Sequence, residues 1–192
     1  AAGTIRTRGT MSSQKGGFAE IRRLKPKCIF EMGSNISVRK HMQKSKMSNS
    51  RNRKILLDKP WIRVLCEKVR FPDGTMIDDF YTVERPPYSA VIPLLPNGDI
   101  LLVRQYRHGP RKKILNIPMG IIETGEKPIQ AAKRELQEET GYRAKELLPI
   151  GVFENSPAFL RLTCHLFLAW RLEKRNSRHR DTMERTTLVR TS

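Results

Sequence analysis

Hydrophobic and polar positions fall into a regular pattern from about Ile55 onward. Between Trp61 and Arg70 the apolar residues Ile62, Val64 and Val69 are interleaved with polar ones, the period of a half-buried strand. Pro72-Asp73-Gly74-Thr75 reads as a turn, so a hairpin into a second strand at Met76 to Glu84 is expected. Tyr88 to Leu95 reads as a third strand, Pro96-Asn97-Gly98-Asp99 as another turn, and Ile100 to Arg107 as a strand with an apolar front (ILLV) and a polar back (RQYR). After the loop His108 to Lys113 comes a short strand at Ile114 to Pro118. A glycine-containing loop then opens one well-marked helix. Pro128 suits a first helical position, Ala131, Ala132 and Leu136 favour helix, and Gly141 stands where a left-handed residue closes one. Leu147 to Phe153 and Thr163 to Leu172 read as two further strands. Beyond Trp170 the chain turns polar and carries no periodic segment long enough to assign.

A length of 192 residues accommodates one domain with a real core and flanking tails, not two full domains. The formal net charge of +18 is unevenly spread. Residues 1–54 carry 14 Lys and Arg against 2 acids, and residues 171–192 carry 7 against 3, which leaves 16 against 14 for residues 55–170. Basic tails around a nearly neutral middle support nucleic-acid binding far less than a basic folded surface does, so any such contact is expected through the tail. The expected organisation is therefore a basic tail over 1–54, a domain over 55–175 and a polar tail over 176–192. The first segment, starting at Ala1 and poor in acids, fits an organellar transit segment, a disordered tail, or upstream read-through before Met47. Cys28, Cys66 and Cys164 are odd in number and widely spaced, which gives no support to a disulfide framework or zinc site. They fit a reducing compartment, the cytoplasm or, with a transit segment, an organellar matrix. No apolar run approaches the roughly 20 residues that cross a bilayer.

The helix carries the chemistry. Glu135, Glu138 and Glu139 stand at i, i+3 and i+4, so their carboxylates share one face within about one turn. Each such like-charged pair costs roughly 0.2–0.5 kcal/mol on an exposed helix. A solvated, helix-promoting face is the plain reading of an isolated run of glutamates. Clustered carboxylates also suit a hard cation such as magnesium, which binds through a few carboxylates, water and substrate phosphates. Ile129, Ala132 and Leu136 form a neighbouring apolar stripe that would pack the helix on a sheet. The planar fork of Arg134 is placed to tie down the loop or a carboxylate. Gly120 and Gly125 most simply serve backbone turns.

From Gly120 to Tyr142 the sequence GIIETGEKPIQAAKRELQEETGY resembles the Nudix box at every position: Gly, five residues, Glu, seven residues, Arg-Glu-hydrophobic-any-Glu-Glu-any-Gly-hydrophobic. Seven fixed identities match by chance on the order of 10⁻⁹ per starting position. The resemblance covers about Trp61 to Trp170. It implies an α/β fold, an α/β/α sandwich with a mixed β-sheet and the box as a loop-helix-loop. It also implies that Glu135, Glu138, Glu139 and the backbone carbonyl of Met119 hold divalent ions, Mg²⁺ or alternatively Mn²⁺. Glu126 matches the first glutamate of the box, a supporting residue, and Gly120 and Gly141 its structural glycines. The reaction implied is attack of a metal-activated water on one phosphorus of a diphosphate, with Glu138 or Glu139 as the base and Arg134 as part of the catalytic set.

Within that family the chain resembles the ADP-ribose pyrophosphatase branch, which implies cleavage of ADP-ribose to AMP and ribose 5-phosphate, with other nucleoside diphosphate sugars as alternatives. Leu101 to Arg107 (LLVRQYR) is similar to a strand of that branch whose arginine, matching Arg107, contacts phosphate; Arg104 is a second candidate on the same strand. Pro157 follows Gly141 at the branch's spacing of 16 residues. Phe71-Pro-Asp-Gly and the hairpin around it resemble N-terminal strands that exchange between the subunits of a homodimer. Trp61 falls where an adenine-stacking aromatic can stand, with core packing as its more ordinary role. Departures are visible too. Asn116-Ile-Pro-Met-Gly replaces the usual Glu-hydrophobic-Pro-Ala-Gly, and Pro157 leads into Ala-Phe-Leu-Arg-Leu in place of a glycine and an acidic cluster. The late loop that often supplies a base has no secure counterpart; Glu154, Glu173 and Glu184 are candidates, each more simply a surface charge. The family's C-terminal strand and helix are not recognisable, which points to a truncated domain end. A binding or regulatory protein on the same fold is the other class of answer, and the complete carboxylate set speaks against it.

Overall fold

The computed structural model describes residues 53–175 and 187–191. The strands expected from alternation are present. Strand β2 (Ile62–Arg70) and strand β3 (Met76–Glu84) form the antiparallel hairpin, with Asp73 accepting a hydrogen bond from the Thr75 amide in the turn. Ahead of them lies β1 (Arg53–Lys59), antiparallel to β2 and exposed along its whole length. With no buried side, β1 has no alternation to betray it. The short β9 (Leu160–Arg161) joins the other edge of this sheet, parallel to β3, giving the order β1-β2-β3-β9. Arg161 fastens that edge by reaching Glu84 at 2.6 Å and the buried Glu67 at 3.4 Å.

A second, mixed sheet has the order β7-β4-β10-β8, built from β4 (Tyr88–Pro93), β7 (Met119–Ile121), β8 (Tyr142–Glu154) and β10 (Thr163–Lys174). Here β10 runs parallel to β4 and antiparallel to β8, while β7 is antiparallel to β4. Its strand β8 begins at Tyr142, five residues before the sequence pattern suggests, because pairing with β10 carries the polar Arg143, Lys145 and Glu146 into the ladder. A third, antiparallel sheet has the order β11-β5-β6, from β5 (Ile100–Arg107), β6 (Lys112–Asn116) and β11 (Thr187–Thr191). Strand β11 lies in the segment that reads as a polar tail; its five residues pair with Ile100 to Arg104 and owe their extended form to that neighbour.

The one helix among the described residues, α1 (Pro128–Thr140), lies over the second sheet. Ala132 and Leu136 close a core with Val91, Phe167 and Ala169, and Ala131 and Thr140 are buried beside them. Ile129, expected in this stripe, is instead exposed, and Ala131 takes the buried place at the helix start. The mixed sheet and the loop-helix segment match the expected α/β fold; the second helical layer of a sandwich has no element among the described residues. Among these residues no helix is long and apolar enough to cross a membrane.

Candidate metal and diphosphate site

Helix α1 is held at both ends by groups that fix where its glutamates fall. At its start Pro128 occupies the first turn, and the Gln130 side chain accepts a hydrogen bond from the Lys127 amide at 2.9 Å. The buried Ser89 hydroxyl donates to the Pro128 carbonyl at 2.7 Å, pinning the helix start to β4. At its end Gly141 is left-handed, φ 72°, and its amide returns to the Gln137 carbonyl. The segment therefore lies rigidly beside the edge strand β7.

On this scaffold Arg134 gathers the loop and the helix. Its guanidinium donates to both oxygens of Glu126 at 3.0 and 2.9 Å, to Glu135 at 2.5 Å, to Glu138 at 3.4 Å and to the Ile121 carbonyl at 2.9 Å. Glu126 in turn accepts from the Glu123 amide at 3.0 Å, closing the loop on itself. Pairing with Arg134 holds the Glu126 carboxyl below its ordinary range and raises the Arg134 guanidinium above its own. Burial pushes Glu135 the other way, upward, against the partial relief that Arg134 provides.

Glu135 and Glu139 both reach β7. The Met119 amide donates to Glu139 at 3.1 Å. The Glu135 carboxylate rests on Gly120, where a Cβ would overlap it. Gly120 is thus not a turn residue, as its sequence context suggests: it lies in β7, where a carboxylate from 15 residues away fills the place of a side chain. Gly125 is a turn glycine, φ 82°, with open space around it.

The structure brings Arg134, Glu135, Glu138, Glu139, Glu126, Met119 and Gly120 into one cluster at the helix-β7 junction. Among the described residues no three acidic, His or Cys side chains already surround a single point. Glu135 and Glu138 turn to Arg134, and Glu139 turns to Met119. As a donor set the cluster fits a hard divalent ion: it is all oxygen, and its members stand about 5–6 Å apart at Cβ by helix geometry.

The candidate substrate residues are separated. Arg104 and Arg107, three apart on β5, point to opposite faces. Arg107 is half-buried on the side of Leu101, Val103 and Gln105, whereas Arg104 is exposed on the other. Trp61 is not a core residue: at the β1-β2 turn it is 59% exposed. Nearby, a cavity of about 230 Å³ is lined by Asp58, Lys59, Arg63, Glu84 and Arg85. Of the candidate bases, Glu154 accepts from Thr163 at 3.0 Å, Glu173 pairs with Lys145 at 2.6 Å, and Glu184 lies outside the described residues. Ser89 and the Ile121 carbonyl were not foreseen; their contacts span 39 and 13 residues and leave no local pattern.

Comparison with known proteins places the chain among relatives of one family. The profile described as NUDIX domain matches residues 85–186, more than half of the chain. An ADP-ribose pyrophosphatase of Bacillus subtilis (strain 168) is 40% identical over 108 residues, 56% of this chain and 58% of that protein. A methanol dehydrogenase activator of Bacillus methanolicus is 34% identical over 116 residues, 60% and 62% of the two chains. The chain thus spans less than two thirds of the length of these relatives. A crystal structure of an ADP compounds hydrolase superposes with a TM-score of 0.63 at 24% identity, over 72% of this chain and 75% of that one, a likeness of fold.

Proposed function

The chain belongs to the Nudix family, and from that premise we propose that it hydrolyses the diphosphate bond of a nucleoside diphosphate derivative, ADP-ribose to AMP and ribose 5-phosphate, with Mg²⁺. The observation that carries this reading is the carboxylate cluster: Glu135, Glu138 and Glu139 beside Met119 and Gly120, organised by Arg134 and Glu126. The relatives named for ADP-ribose pyrophosphatase activity support the choice of substrate. Nudix hydrolases use divalent cations, and the residues that would hold them here are the three glutamates and the Met119 carbonyl. A bound cation supplies Lewis acidity that activates the attacking water and offsets charge on the phosphoryl oxygens. Arg134 keeps the loop closed on the helix, so that the glutamates face the substrate in fixed order. Glu138 or Glu139 takes the proton from water. Arg107 contacts a phosphate and Trp61 stacks on the base. The exposed Ile55, Leu56 and Leu57 of β1, together with Trp61, support a homodimer formed through the N-terminal sheet.

The test is turnover with Mg²⁺ on ADP-ribose, nucleoside diphosphate sugars and dinucleoside polyphosphates in ¹⁸O water. AMP release from ADP-ribose, with the label on one identified product, is expected. Folded protein that turns over none of them refutes the enzymatic reading and favours a binding or regulatory role, for which the methanol dehydrogenase activator among the relatives is the specific pointer.

A further inference from the structure

Across Ile100 to Ile122 the chain carries five arginines and lysines and not one acidic residue. Where acids lie nearby, described cations pair with them: Arg63 with Asp58 and Glu84, Lys68 with Asp78, Lys145 with Glu173, Arg161 with Glu84 and Glu67, Arg171 with Glu146. On the β5-β6 hairpin, Arg104, Arg111, Lys112 and Lys113 pair with no acid among the described residues. The near-zero charge of residues 55–170 conceals this local excess, because it averages the hairpin with a surplus of acids spread over the rest of the domain.

Strand geometry sorts the hairpin into two faces. Tyr106 stands opposite Lys113 and Arg104 opposite Leu115, so these four share one face, with Leu102 and its partner Val189 continuing it across the sheet. That face is solvent-exposed: Tyr106 is 52% accessible, and Arg104, Lys113 and Leu115 are exposed too. His108 packs edge-on against Tyr106, with ring centroids 6.3 Å apart, which orients the phenol ring. The opposite face, with Val103 and Gln105, is buried and carries Arg107.

An aromatic ring fixed on a sheet surface between unpaired cations is the arrangement on which single-stranded nucleic acid lies, bases on the ring and phosphates on the cations. A duplex offers no free base face for Tyr106, whereas an unstacked base does. We propose that the exposed face of the β5-β6 hairpin binds single-stranded polynucleotide, with a base stacked on Tyr106 and phosphates held by Arg104 and Lys113. The proposed contacts use none of the carboxylates of the cluster, and binding is read in EDTA, without divalent metal.

The experiment is fluorescence anisotropy of a labelled oligouridylate of about 12 nucleotides with the full chain in EDTA, across a salt series. Tyr106→Ala is expected to weaken binding about 5- to 100-fold, the range for losing one stacked base. Arg104→Ala with Lys113→Ala is expected to flatten the salt slope by about 1.4, roughly 0.7 per cation. Tyr106→Trp keeps the stack and should retain affinity, which covers the case of a misfolded alanine variant. The basic ends are identical in every variant, so binding through them alone predicts wild-type behaviour throughout, and that result overturns the proposal. Loss with the cation variants while Tyr106→Ala binds normally overturns it as well, since binding is then phosphate contact without a stacked base.

Discussion

Replacing Gly120 by alanine separates the site from its scaffold. Gly120 is not among the glycines with positive φ, so an alanine there meets no backbone strain. The obstacle is lateral: the new methyl would sit well inside the 3.0 Å that Cβ atoms respect, against all three atoms of the Glu135 carboxylate. That carboxylate is the free end of a flexible side chain and relieves the clash by swinging away. The swing breaks its 2.5 Å contact with Arg134, which keeps both bonds to Glu126. Losing one charge-assisted bond in a partly exposed network costs about 1–2 kcal/mol. At about 2–4 °C per kcal/mol for a chain of this size, the melting temperature should fall by about 2–8 °C. If Glu135 is a ligand as proposed, displacing its carboxylate by an ångström or more should reduce turnover by about 10²-fold. Gly125→Ala is the matched control. Its φ of 82° penalises alanine by about 1–2 kcal/mol, yet nothing lies within 4 Å of the added Cβ, so stability should drop alike while turnover stays within about threefold. The assays are AMP release from ADP-ribose and thermal melting of both variants. If Gly120→Ala turns over ADP-ribose as fast as Gly125→Ala, the carboxylate does not need the space and the reasoning is wrong.

Glu126→Gln should destabilise the fold by about 1–3 kcal/mol at pH 7, because Arg134 loses its principal partner. Pairing lowers the folded-state pKa of Glu126, so its contribution is full above the unfolded value and fades as pH falls through the folded one. The deficit, read by denaturant melts, should therefore shrink below the ordinary glutamate range of about 4.3; a deficit equally large in strong acid contradicts this. Trp61→Ala should raise KM for ADP-ribose about 2- to 12-fold with little change in kcat, the worth of one stacking contact. An unchanged KM removes Trp61 from the substrate site.

The sequence made some features legible because they are local. Alternation marks β2, β3 and β5, and Pro128 and Gly141 bracket α1 through backbone preferences that act at those residues. The spacing of Glu135, Glu138 and Glu139 places them on one face before any tertiary contact forms. Features made by distant partners were hidden. Strand β1 is an edge strand with no buried side to impose a period, β11 is a five-residue edge strand too short to show one, and β8 extends through polar residues on the strength of β10. The demand for glycine at 120 comes from Glu135, and the anchoring of Pro128 comes from Ser89. Of the two roles the sequence offers Trp61, core packing and base stacking, its 59% exposure at the β1-β2 turn excludes the first. The opposite facing of Arg104 and Arg107 was readable all along, since three residues along a strand reverse the face.

Divalent-ion binding at the helix turn is what the account most needs. Mn²⁺ titration followed by electron paramagnetic resonance, on wild type and Glu139→Gln with AMP and phosphate present, reads it directly. The wild type is expected to bind manganese, with affinity lower by about 10- to 100-fold in the variant, the usual cost of disturbing a ligand set. Equal affinities, or no bound manganese in folded wild-type protein, would contradict it.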